Sequence, residues 1–200
     1  MSSISETIVR EYLEERGFLV RQLRKFVTPN RADDEIVDFL AAKPGRETAN
    51  GGFDFILDSK DLDSIHRAVV IVKGWHTETF SPAVLEHAPD LDRCLDPDLI
   101  QRIDDALGGN RDVAKILVIP GLPKERALRE ESVELLRGKG IDAALSFHVL
   151  LEDLIERVET NRNYAKSDLL QTLRILKNYD FFKEPQLELF HAPKRRKKKN

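Results

Sequence analysis

The sequence predicts an α/β domain, a mixed central sheet flanked by helices on both faces. Three observations carry this expectation. Segments with strand period and segments with helix period alternate along the chain. The dominant hydrophobic period changes from two to 3.6 beyond residue 73. At that junction lies Arg67-Ala-Val-Val-Ile-Val-Lys73, an apolar run that reads as a buried strand.

The elements follow in order. Ser3-x-x-Glu6 has capping-box spacing, and Ile8, Val9, Tyr12 and Leu13 form an apolar stripe closed by Gly17, which predicts a first helix. Phe18 to Leu23 reads as a strand. Glu35 to Ala42 reads as a second one, ended by Lys43-Pro44, with a helix capped by Asp33 as the alternative. Gly51-Gly52 marks a turn before a strand at Phe53–Leu57, and Ala68–Lys73 follows. Asp96-Pro97 supplies an N-cap and an N1 proline for a helix bearing Leu99, Ile100, Ile103 and Leu107, stopped by Gly108. Ile116–Ile119 is a short strand broken by Pro120-Gly121. A helix from about Glu125 ends at Gly138 or Gly140, and Ala143–Phe147 is the last strand. Two helices close the body, one with Leu150, Leu151, Leu154, Ile155 and Val158, the other with Leu169, Leu170, Leu173 and Leu176. The expected organisation is an α/β domain over residues 1–180 and a flexible tail over 181–200.

Composition narrows the class. Hydrophobic residues at 41% of 200 suffice for one packed domain. The longest apolar run is too short to span a bilayer and no secretory pattern opens the chain, so it reads as soluble and unexported. The single cysteine, Cys94, excludes an internal disulfide and a cysteine-based zinc site. Charge is unevenly spread. Six of the 32 basic residues fall within 194–199, leaving 26 against 35 acidic residues elsewhere, a net of −9. An acidic body of this kind does not look like a non-specific DNA binder.

The lysine that closes the 67–73 strand is the most informative residue. Side chains alternate along a strand, so Val69, Ile71 and Lys73 share one face and Val70 and Val72 the other. A terminal lysine here needs a task for its ammonium or a route to water. Trp75 and His76 follow directly. They offer either a stacking surface with a phosphate or proton contact, or a core tryptophan with a polar neighbour. Upstream, Asp38 lies in DEIVDFLAAKP. These features resemble the PD-(D/E)XK superfamily of metal-dependent nucleases, in which an acid, any residue and a lysine close such a strand. The order of elements over residues 3–150 is similar to the αβββαβ core of that superfamily.

The resemblance implies roles. Phosphodiester hydrolysis needs a cation to neutralise developing charge and to generate hydroxide, and magnesium is held by one or two carboxylates plus waters. Asp38 would ligate Mg²⁺, Lys73 would hold the attacking water or stabilise the phosphorane, and Glu6 would add to the metal shell. Glu6 is equally the capping-box partner of Ser3, and Asp54 in Phe53-Asp-Phe rivals Asp38 as the first acid. Ile71 departs from the pattern, because it stands where the second acid belongs. Either catalysis is lost and the fold kept, or the acid has moved to Glu78 or Glu86.

The tail is a second signal. Gln186-Leu-Glu-Leu-Phe190 resembles the QLxLF peptide by which bacterial replication and repair proteins dock onto the sliding clamp, with Gln186, Leu187, Leu189 and Phe190 at the specified positions. Such a peptide is an extended segment whose Leu and Phe fill an apolar groove. Its alternative is a terminal strand or turn packed on the domain. Behind it, Lys194, Arg195, Arg196, Lys197, Lys198 and Lys199 could neutralise DNA phosphates, or act as a nuclear localisation signal or a solubilising end. The leading expectation is a protein of DNA repair or recombination with a degenerate or rearranged nuclease site, recruited by its tail. The alternatives are an active Mg²⁺-dependent endonuclease with a migrated acid and a non-catalytic interaction module. The expected location is cytoplasmic and nucleoid-associated in a bacterium, or nuclear in a eukaryote.

Overall fold

The computed structural model describes residues 3–22, 37–45, 50–88, 91 and 113–182. It divides the chain into two compact units, residues 1–157 and 158–200, where one domain to residue 180 is expected from the sequence. The expected helix at 96–108, the Asp33 cap and the tail motifs lie outside the described residues.

The first unit is α/β, as expected, with a six-stranded mixed sheet. Helix α1 (Ser3–Glu15) is followed by β1 (Leu19–Gln22), β2 (Phe39–Ala42), β3 (Ile56–Leu57) and β4 (Arg67–Val72). Then come α2 (Pro82–Glu86), β5 (Ala114–Ile119), α3 (Arg126–Gly138), β6 (Ala143–Ser146) and α4 (Phe147–Arg157). The sheet order is β1-β2-β4-β5-β6-β3. β1, β2 and β4 are antiparallel neighbours, whereas β5 runs parallel to β4, β6 to β5 and β3 to β6.

Strand β4 is interior, with main-chain partners on both sides. Val69, Val70, Ile71 and Val72 are all buried, which is why the strand reads as a continuous apolar run rather than an alternation. Val69 and Ile71 join a cluster with Leu85 of α2 and Val133 and Leu136 of α3. Alternation turns Val70 and Val72 to the opposite face, and α1 packs against β1, β4 and α4. Gly17 ends α1 with φ of 82°, a conformation glycine adopts without a Cβ penalty.

Two elements differ from the sequence reading. β3 is only two residues long instead of five, because it is an edge strand held by β6 alone. Helix α2 has no counterpart in the sequence reading. It is barely one turn, started by Pro82 at its first position, and too short to display a helical period. Among the described residues, no helix is long and apolar enough to cross a membrane.

The second unit contains α5 (Asp168–Asn178), capped by Ser167, whose Oγ accepts from the Leu170 N–H at 3.2 Å. The helix is tied to the segment before it by Arg174 Nε donating to Thr160 O and Lys177 Nζ donating to Val158 O, each at 2.9 Å.

Close packing at the end of β4 depends on a glycine. A Cβ at Gly74 would sit 2.8 Å from Ser5 Cβ and closer still to Ser5 Oγ. Gly74→Ala is therefore expected to destabilise the protein by about 1–3 kcal/mol in urea denaturation. Adding Ser5→Gly should recover part of that loss, and a neutral Gly74→Ala would refute the close approach.

Candidate functional site

The carboxyl end of β4 brings several of the expected residues together. Lys73 directly follows the strand, and its N–H extends the β4–β5 ladder by donating to Val118 O at 2.9 Å. Asp38 directly precedes β2, the antiparallel neighbour on the other side, and its N–H donates to Val70 O at 3.0 Å. The Phe39–Val70 pairing sets Asp38 across from Ile71. The two residues that the resemblance singles out thus lie on adjacent strands at one end of the sheet.

Asp38 has a structural task. Its Oδ2 accepts from the Val72 N–H at 2.7 Å, a bond that a main-chain carbonyl would otherwise make, so the carboxylate continues the β2–β4 ladder past the end of β2. The residue is buried. Burial pushes its pKa up to about 6, with the neighbouring Glu6 charge adding to the rise; the Val72 hydrogen bond and the Lys73 charge oppose it. Glu6 itself accepts from Gln22 Nε2 on β1 at 3.3 Å. Glu6, Asp38 and Lys73 therefore form one electrostatic group.

Lys73 is almost fully covered, and its ammonium lies 5.8 Å from the centre of the Trp75 ring. Trp75 stacks on Phe80 with ring centres 5.5 Å apart, and the Phe80 N–H donates to Gly121 O, joining the loops that follow β4 and β5. His76 Nε2 lies 3.0 Å from Ser5 Oγ, and its ring meets Phe147 edge-on at 4.6 Å. Ser5 drew no attention in the sequence, because an isolated hydroxyl leaves no periodic mark. A groove beside this end is lined by Gly74, Trp75, His76, Thr77, Glu78, Ala83, Val84 and His87.

The other candidates are distributed as follows. Asp54 precedes β3 at the far edge, with β5 and β6 between β3 and β4. Glu78 lies in the groove lining and is exposed, and Glu86 is exposed at the end of α2. Gln186, Leu187, Leu189, Phe190 and Lys194 to Lys199 lie outside the described residues.

The donors at the β4 end do not fit a Mg²⁺ centre. One oxygen of Asp38 is engaged by the Val72 N–H. The position for a second acid holds Ile71, 1% exposed and packed in the core. Among the described residues, no group of three or more His, Cys, Asp or Glu side chains is arranged to hold a metal ion. No family model, curated protein or solved structure matches the chain.

The Asp38 environment has a pH consequence. The folded state binds the proton more tightly than the unfolded chain, so this carboxyl contributes stability that is fully present below about pH 4. That contribution is lost as pH rises through about 6. Relative to wild type, Asp38→Asn should therefore gain up to about 3 kcal/mol of stability between pH 4 and pH 7. Parallel stability–pH curves for the two proteins would contradict this.

Proposed function

We propose that the chain acts in DNA metabolism as a nuclease-like domain that no longer cleaves, recruited by its C-terminal tail. The observation that carries this reading is Ile71, buried across from Asp38 where metal-assisted hydrolysis would need a second carboxylate. Asp38 serves the sheet ladder, and the covered Lys73 ammonium serves to moderate the Asp38 charge. Recruitment then falls to the tail. The acidic remainder of the chain is a poor general partner for DNA, while Lys194 to Lys199 are suited to phosphates. Gln186, Leu187, Leu189 and Phe190 supply the apolar and polar groups of a clamp-binding peptide.

Purified protein with Mg²⁺ or Mn²⁺ should leave duplex, branched and single-stranded DNA uncut, and Lys73→Ala should change nothing in that assay. Robust cleavage abolished by Lys73→Ala would overturn the lost-catalysis reading. Its further loss in Glu78→Ala or Glu86→Ala would locate a migrated acid.

A peptide covering residues 183–200 should bind a bacterial sliding clamp in calorimetry. The Leu189→Ala, Phe190→Ala peptide should bind at least tenfold more weakly, because burying each side chain is worth about 1.5–3 kcal/mol. Removing the six basic residues should spare clamp affinity while lowering DNA affinity and flattening its salt dependence. Equal clamp binding by the two peptides would make QLELF a coincidence.

A further inference from the structure

At the amino end of β4, as at its carboxyl end, a side chain continues the hydrogen bonding of the sheet. Main-chain groups alternate in direction along a strand, and the carbonyls of His66 and Val70 accept from the Lys43 and Asp38 N–H groups on the β2 side. The groups of Arg67 therefore face the β5 side, where the ladder to β5 begins at Ala68. The side-chain amide of Asn50 extends that ladder backwards. Its Oδ1 accepts from the Arg67 N–H at 3.1 Å and from the His66 N–H at 2.7 Å, and its Nδ2 donates to Arg67 O at 3.1 Å. A primary amide can do this because it offers an acceptor and a donor together, as a peptide does. The next residue is held alongside. The Gly51 N–H donates to Ser64 O at 2.8 Å, and a Cβ at Gly51 would sit 3.0 Å from Ser64 Cβ. Ser64 follows the 3₁₀ turn Asp61–Asp63, and its Oγ donates to Asp61 O at 2.7 Å and to Gly52 O at 3.4 Å.

The strand end thus uses an asparagine for its amide and a glycine for its close approach, side by side. Asn50-Gly51 is the one Asn-Gly pair in the chain, and this dipeptide carries its own chemistry. The glycine nitrogen has no neighbouring Cβ to hinder it. It loses its proton and attacks the Asn50 side-chain carbonyl carbon, the new N–C bond closes a cyclic imide, and the side-chain nitrogen leaves as ammonia. Water then opens the imide at either carbonyl. One product is an aspartyl residue, and the other is an isoaspartyl residue whose main chain is longer by a CH₂ group. In the folded chain both reacting groups are engaged elsewhere, the Gly51 N–H with Ser64 and the Asn50 amide with residues 66 and 67. Ring closure turns the side chain back onto its own main chain and away from Arg67, so these contacts must open first. Afterwards the side chain is a carboxylate, which only accepts, and an oxygen is set against Arg67 O where Nδ2 donated. The isoaspartyl form also displaces Gly51 against Ser64, where the approach is already close.

We propose that Asn50 is a fold-guarded modification site, a position of spontaneous deamidation with water as the only co-reactant. It stays intact while residues 50–52 lie against 64–67 and reacts when that contact opens. The product records the opening irreversibly, because it cannot rebuild the amide contact with Arg67, and it weakens the start of β4.

The full-length protein should be incubated at mildly alkaline pH, folded and in urea. The peptide containing residue 50 is then followed by mass spectrometry, with the isoaspartyl form resolved by chromatography. In urea Asn50 should deamidate faster than the other asparagines, none of which precedes a glycine. Gly51→Ala in urea should slow the reaction severalfold, which identifies imide formation rather than direct hydrolysis. In the folded protein the reaction at Asn50 should be slower by about tenfold or more, because the contact is open only part of the time. Asn50→Asp, which makes the aspartyl product directly, should lower the urea midpoint and speed hydrogen exchange at the Arg67 amide. Equal rates in folded and unfolded wild type would overturn the proposal, since the fold would then guard nothing. So would an Asn50→Asp variant with the wild-type midpoint and unchanged Arg67 exchange, because the product would then rebuild the contact.

Discussion

The architecture of the first unit depends on keeping β4 dry and fully hydrogen-bonded. An interior strand that buries four consecutive branched side chains must satisfy every main-chain group within the sheet, because an unpaired buried N–H costs about 1–3 kcal/mol. β5 meets this demand on one side from Ala68 to Val72. β2 meets it on the other until Phe39, where the regular ladder stops. At Val72 a side chain takes over from the main chain, and the Asp38 carboxylate accepts the hydrogen bond. The properties of the β4 end follow from that substitution, including a carboxyl whose pKa is pushed up to about 6 by burial and a nearby lysine that limits the rise.

This arrangement separates position from chemistry. Asp38, Lys73 and Glu6 form one electrostatic group at the end of β4, and each has a local contact. Asp38 completes the ladder, Glu6 holds Gln22 of β1, and Lys73 lies against Trp75. Ile71 contributes to the apolar cluster under α2 and α3, where a carboxylate would carry a heavy desolvation cost. The four positions that the resemblance singles out build a strand end, which supports the proposed reading of a domain that does not cleave.

The two ends of the sheet handle charge differently. At the β4 carboxyl end Asp38 and Lys73 are buried and Glu6 is half-buried. At the other end the buried Arg16 side chain lies between Asp153, which accepts from Arg157, and the exposed Asp63. Helix α1 links the ends, with Ser5 packed on Gly74 at one and Arg16 at the other.

Local order determined much of what the sequence alone specifies. The α1 stripe with its Gly17 stop, the continuous apolar run of β4, the strand at 116–119 and the helices near 125–138, 147–157 and 168–178 all carry their period in neighbouring residues. The pairing of Asp38 with the end of β4 was legible only as a resemblance. Its consequence, a carboxylate serving as a ladder acceptor, depends on where β2 stops. Helix α2 left no periodic signal, being too short to show a helical repeat, and β3 was legible as a strand but not in its two-residue length. The Ser5–His76 contact, the Gly74 approach and the Arg16–Asp153–Asp63–Lys43 cluster join residues far apart in the chain. Isolated polar residues carry no period and no spacing rule, so only the packing of α1 across the sheet and the return of α4 beside it decided that they meet.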